Sequence, residues 1–319
     1  MAFEHPEASL SSAPALVHAG VLTAHREGVN LLAAGNSRNT WASSDTSRRI
    51  QIWDGDRPAV RFEPFSLWER VYGNRRIYGM QFSPDGRTLY VAMTDRLAAF
   101  ESATGRRGWQ YRGPRVLAFL PSSPVAVAVE ANTGAVAAAF DDGHFGLWSF
   151  AGDPMAIWHD NETPRQLAFT RDGSRIVGTD SFSICIWEVE TRTKVARHVP
   201  NERVHALKLS PAFDVAASRT LYDVAIWDIE SGAETARIPV GRGLPLLAFS
   251  PEAPLLAYSE RNRLRVCGFE GSTLGEWSTE EAILSIGFSN DGRRILVGLS
   301  DSSIRAFVAP VPRPAAFEL

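Results

Sequence analysis

Val224-Ala225-Ile226-Trp227-Asp228, an apolar run closed by an indole and an acid, decides how this chain folds because near copies of it recur about forty residues apart. FGLW closes at Trp148, SICIW at Trp187, LRVC at Cys267 and IRAF at Phe307. IQIWD at Trp53 and LAAF at Phe100 carry the series toward the N-terminus, which makes seven units. A fixed period of this size marks one supersecondary unit repeated, so the chain reads as an array.

Most of these closing residues follow a second recurring strand by eighteen or nineteen positions. It ends at Phe82 in YGMQFSPDGR, Phe169 in RQLAFTRDGS, Leu209 in HALKLSPAFD, Phe249 in PLLAFSPEAP and Phe288 in LSIGFSNDGR. Apolar residues there alternate with small or polar ones, the period of a strand packed on at least one face. Pro84-Asp85-Gly86, Asp172-Gly173 and Asp291-Gly292 then supply a preset φ, a side chain that bonds its own backbone and a residue free to take positive φ. A third strand follows the reversal (TLYVAM, RIVGTD, RILVGLS), and a weaker fourth lies beyond the Trp-ending one (AVRF, KVARHV, TARIPV). Four strands per forty residues cannot cover both of their own faces, so neighbouring units must do it.

On these residues the chain resembles the WD-repeat β-propeller family. Trp53-Asp54 and Trp227-Asp228 match the family's closing pair, and Trp187-Glu188 and Trp148-Ser149 relax it. His25, in AHREGV, stands where the family carries the histidine of its Gly-His pair. The strand-turn acid is clearest at Asp142 and Asp301, and fainter at Asp45, Asp95 and Asp180. The resemblance implies an all-β fold, a single seven-bladed β-propeller with four antiparallel strands per blade over residues 15–308. It also implies partner docking on the face that carries the loops between strands four and one and between strands two and three. Only the first blade offers the family's full set of His, Ser or Thr, Asp and Trp, so apolar packing between blades must carry the rest.

Counting strands leaves the seventh blade one short after Phe307. Residues 309–319 are too rich in proline to pair centrally. Residues 15–22, ALVHAGVL, are expected to supply the missing outer strand and clasp the ring, with residues 1–14 and 309–319 loosely ordered. The insert PSSPVAVAVEANTG, residues 121–134, is expected to lengthen a blade-3 hairpin whose first strand ends at Phe119, with a strand edge open to a partner as the alternative.

The 319 residues carry 33 basic and 36 acidic side chains, interspersed, for a net charge of −3, which argues against a nucleic-acid partner. MAFEHPEASL lacks the pattern of a secretion signal and no long apolar run occurs, so the expected location is cytoplasmic, with no membrane contact. Cys185 and Cys267 fall in third strands of blades 4 and 6, which are not adjacent, and read as buried thiols. HExxH, GxSxG, GxxxxGK[ST] and CxxC are all missing, so the expectation is a non-enzyme without cofactor or metal. His144 after Asp141-Asp142-Gly143 reads as a tight turn rather than a metal ligand.

Function therefore falls to the surface. Four positions before the closing aromatic of the first strand stand Tyr78, Arg115, Arg165, His205, Pro245 and Leu284. Arg76, Arg112, Arg203 and Arg242 lie nearby, offset by Asp160, Glu162, Glu202, Glu280 and Glu281. An arginine-rich mouth suits a carboxylate or phosphate on an acidic partner, although ordinary solvated loop arginines give the same pattern. The connection FEPFSLWERVYGNRR gathers Phe65, Leu67, Trp68 and Tyr72, either packed on the ring or free as anchors. The expected activity is a monomeric protein-interaction scaffold that binds a protein or peptide through Trp68, Tyr72, Arg76, Tyr78, Arg115, Arg165, Arg203 and His205. The alternative is a propeller enzyme or a small-ligand or metal sensor that uses the central channel.

Overall fold

A computed structural model describes residues 14–35, 40–66, 69, 75–113, 115–117, 120–179, 183–199, 206–210, 212, 214–220, 222–241 and 246–311. Seven four-stranded antiparallel sheets form a seven-bladed β-propeller. The inner strands, in blade order, are Val29–Ala34, Ile77–Phe82, Pro124–Val129, Gln166–Phe169, Ala206–Leu209, Leu247–Phe249 and Ile283–Phe288. Each neighbours the inner strands of the blades before and after it, and that of blade 7 meets that of blade 1, so the ring closes.

The alternation seen in the sequence has a specific outcome. Successive residues of a strand point to opposite faces, and here each face belongs to a different seam between blades. In blade 2, Tyr90 packs toward blade 3 with Phe140 and Trp148, while Val91 packs toward blade 1 with Ile50 and Ile52. In blade 5, Ala216 joins the seam with blade 4 and Ala217 the seam with blade 6. One buried apolar cluster occupies every seam, including the closing one, where Leu22, Leu296 and Ile304 of blade 7 meet Val29, Trp41 and Trp53 of blade 1. Cys185 and Cys267 are free, buried members of two such seams.

The last blade is completed from the other end of the chain. His18–Thr23 pairs antiparallel with Ser303–Val308 as its outer strand, as expected, with a register shift between His18 and Gly20. Just before it, residues 14–16 run beside the outer strand of blade 6: the Leu16 amide donates to Glu276, and the Glu276 amide to Pro14. One short segment thus ties two blades.

Polar ties are concentrated in blade 1. Trp53 Nε1 donates to Ser43 Oγ at 2.8 Å, His25 Nε2 lies 2.6 Å from that oxygen, and His25 Nδ1 donates to Asp45 at 3.1 Å. Asp45 also accepts from the Arg49 amide. Its carboxyl lies below the ordinary value: burial works to raise it, and the His25 and Arg49 donors together outweigh that. Other blades satisfy the indole differently. Trp227 donates to Ser218 at 2.7 Å, and Trp187 donates to Asp160, on the segment entering its blade, at 2.8 Å.

Blade 3 departs from expectation. Its inner strand is Pro124–Val129, paired with Val136–Phe140, whereas Arg115–Leu117 pairs only with Leu120–Pro121 in a two-stranded ladder of its own. The insert therefore contains the blade's first strand and does not lengthen a hairpin begun at VLAF. The reason is register. Val129 stands opposite Val136, which stands opposite Trp148, so Val129 holds the place that Phe169 holds in blade 4 opposite Ile176 and Trp187. Glu130 replaces the usual Asp turn by accepting from the amides and side chains of Asn132 and Thr133.

Two predictions follow from these ties. Ser43→Ala leaves the buried Trp53 N–H without an acceptor, and is expected to lower stability by about 1–3 kcal/mol in urea denaturation; a change near zero would mean that the blade 1 set does not stabilise the ring. The turn carboxylates set acid behaviour. Asp172 is held at about 2 by the Thr170 hydroxyl and by the Ser174 hydroxyl and amide. Asp85 and Asp291 are also lowered, because serine and amide donors together outweigh partial burial. Folded values below the unfolded value of about 4 give stability that is complete above that pH and is lost as pH falls toward 2. Melting curves from pH 6 to 2 are expected to show a midpoint that is flat at first and then falls steeply below about pH 4.

Candidate functional site

The seven inner strands enclose an axial channel of about 520 Å³. Ladder register sorts its lining into tiers. At one mouth, Asn30, Tyr78, Val125, Arg165 and Leu284 occupy equivalent positions, four before the residue that faces the second strand's seam position. Deeper lie Leu32, Met80, Val127 and Ile286, each only partly buried, which form an apolar belt. The next tier carries Gln81, Ala168, Lys208, Ala248 and Gly287, and Pro251 and Asn290 line the far mouth.

Tyr78 and Arg165 are thus brought together in one wall, both exposed. Neither side chain has a hydrogen-bond or ion-pair partner among the described residues, and the Arg165 amide is fixed by Thr179 O at 2.9 Å. Arg76 is exposed on the same face, its backbone paired with Thr94. The position assigned to Arg115 belongs to Val125, four before Val129, because VLAF is not the inner strand; Arg115 lies in the separate small ladder. Trp68, Tyr72, Arg203 and His205 lie outside the described residues, as do Arg242 and Pro245.

Two of the acids expected to offset the mouth arginines are committed elsewhere. Asp160 binds Lys194 at 2.8 Å, and Glu162 binds Arg197 at 3.0 Å, both on the outer strand of blade 4. The blade 1–2 connection is anchored at two of its described points. Phe65 is buried in the seam between blades 1 and 2, and Glu69 pairs with the buried Arg96, which also binds Asp95. Glu69 sits at about 2: burial raises it, and donors from Ser66 and Arg96 together overcome that. Leu67 lies outside the described residues.

His144 and Asp142 form the expected tight turn, with Asp142 accepting from the His144 amide and ring and Gly143 at φ +85°. Among the described residues, no group of three or more His, Cys, Asp or Glu is placed to hold a metal ion. No helix among them is long and apolar enough to cross a membrane.

Sequence reasoning missed Lys208. It lines the channel in a tier otherwise filled by Ala, Gly and Gln, its side chain exposed to the open space of the channel and ringed by the blades around it. That enclosure pushes its ammonium pKa below the ordinary lysine value. The available signal was a single cation in HALKLSP where the sister strands carry Ala, Gly or Gln. No protein-family model matches the chain, and no curated protein matches it in sequence.

Phe65→Ala distinguishes packing from anchoring in the blade 1–2 connection. Loss of a buried phenyl is expected to cost about 3–5 kcal/mol on chemical denaturation. A loss below about 1 kcal/mol, close to that of a surface substitution, would mean that the ring packs without it.

Proposed function

We propose that this chain is a propeller of the WD-repeat type that acts as a non-catalytic scaffold, docking a protein or peptide with acidic groups on the face that carries Arg76, Tyr78 and Arg165. The hydrogen-bonded set of His25, Ser43, Asp45 and Trp53 in blade 1 supports the family reading, since it joins the four residue types that family uses. The observation that carries the docking reading is an exposed tyrosine and an exposed arginine, both without a side-chain partner among the described residues, in one wall of the channel mouth. Arginine offers a planar fork of donors to a carboxylate, and tyrosine offers contact area at small entropy cost. Two nearby acids that could have neutralised the mouth are held by Lys194 and Arg197.

A rigid ring suits this work, because loops from distant parts of the chain are held at fixed spacing and little ordering is required on binding. The test is affinity purification with the tagged full chain and with the double variant Tyr78→Ala/Arg165→Glu. The variant is expected to fold with an unchanged melting midpoint and to lose its partners by at least tenfold. A folded variant that recovers the same proteins in the same amounts would remove this mouth as the docking face.

A further inference from the structure

We propose that the axial channel is a binding site for a small organic monocarboxylate, with the carboxylate held by Lys208 and the apolar body lying along Leu32, Met80, Val127 and Ile286. This site lies deeper in the channel than the mouth residues Tyr78 and Arg165, and it does not depend on a partner docking there.

Charge gives the sign of the ligand. Lys208 and Arg165 are the charged residues among the described channel lining, and no carboxylate is among them. Lys208 has no hydrogen-bond or ion-pair partner among the described residues, so its ammonium is left to solvent or to a ligand. Position then separates the two cations. Arg165 stands in the mouth tier and Lys208 three residues further along the strand direction, roughly 10 Å at the rise of a β-strand. A single ammonium at the inner level matches a monoanion, and Arg165 attracts anions toward the opening.

The walls give the rest of the ligand. Ala168, Ala248 and Gly287 share the level of Lys208 and leave room beside it, and the Gln81 amide provides a second donor there. The space is not incidental at Gly287, where an added Cβ would come within 3.3 Å of Leu32 Cβ and narrow the belt. Toward the mouth, the adjoining belt of partly buried side chains offers apolar contact. Inner strands are sheet edges, so their backbone groups facing the axis add further donors and acceptors. A volume of about 520 Å³ falls within the range of small-molecule pockets, about 300–1,000 Å³. A largely apolar chamber with one cation at its inner level disfavours a bare inorganic dianion relative to an anion with a hydrocarbon body. The enclosure that depresses the Lys208 ammonium supports this, because a carboxylate there would recover the lost solvation.

The experiment uses the full chain and hexanoate as probe, followed by isothermal titration and by the melting midpoint. Wild type is expected to bind hexanoate saturably with a raised midpoint, and Lys208→Arg to retain both. Lys208→Met and Lys208→Gln, each checked for fold by circular dichroism, are expected to weaken binding at least tenfold. Inorganic phosphate and hexanol, which lack the body and the charge respectively, are each expected to bind at least tenfold more weakly than hexanoate. The proposal is overturned if hexanoate does not bind, if it binds equally to wild type and the uncharged variants, or if phosphate binds as well as hexanoate does.

Discussion

Everything in this molecule hangs on apolar seams that no blade can complete by itself. A four-stranded sheet with Tyr90 on one face and Val91 on the other has two surfaces to cover and no second layer of its own. Stacking sheets in a circle solves this, because each face finds the opposing face of a neighbour, and only a closed circle leaves none uncovered. Each buried Val, Ile, Leu or Phe contributes roughly 1.5–3 kcal/mol relative to exposure, so the ring is stable as a whole while a lone blade would not be. The same condition forces small residues wherever sheets approach closely, as at Ala137, Ala138 and Ala139 in the second strand of blade 3, all of them buried.

Once the seams fix the strands, polar detail can vary from blade to blade. The indole N–H must find an acceptor when buried, but the acceptor need not be the same: Ser43 serves in blade 1, Ser218 in blade 5 and Asp160 in blade 4. The turns show similar tolerance. Asp85, Asp172 and Asp291 close three hairpins with their own side chains, and Glu130 does the equivalent work in blade 3 with one more methylene. Variation of this kind erases sequence identity between repeats while leaving the architecture intact.

How much could be read beforehand follows from the same division. Strand number, the ring, the closing role of the segment before His25 and the place of both cysteines are written in apolar periodicity, which the seams enforce. The inner strand of blade 3 was harder, because VLAF imitates the consensus better than PVAVAV does. Counting back from Trp148 by the spacing seen in the sister blades reaches Val129 and would have settled it. Channel residues were only partly legible. Tyr78 and Arg165 sit at a recognisable position, but Lys208 matters through the small residues around it, and those come from strands far apart in the chain. For Phe65, composition alone could not choose between a packed ring and an exposed one, since the answer lies in the seam beneath it.

The clasp at blade 7 sets an order of events in the cell. His18–Thr23 leaves the ribosome about 280 residues ahead of its hydrogen-bonding partner, Ser303–Val308. Until Ser303–Val308 emerges, His18–Thr23 has no pairing strand while the blades between them accumulate, and domains of this kind are most prone to misassembly in that interval. Ring closure therefore waits for the last strand of blade 7: a segment made before blade 1 docks against one made after six blades are complete, and only then does the arc become a ring.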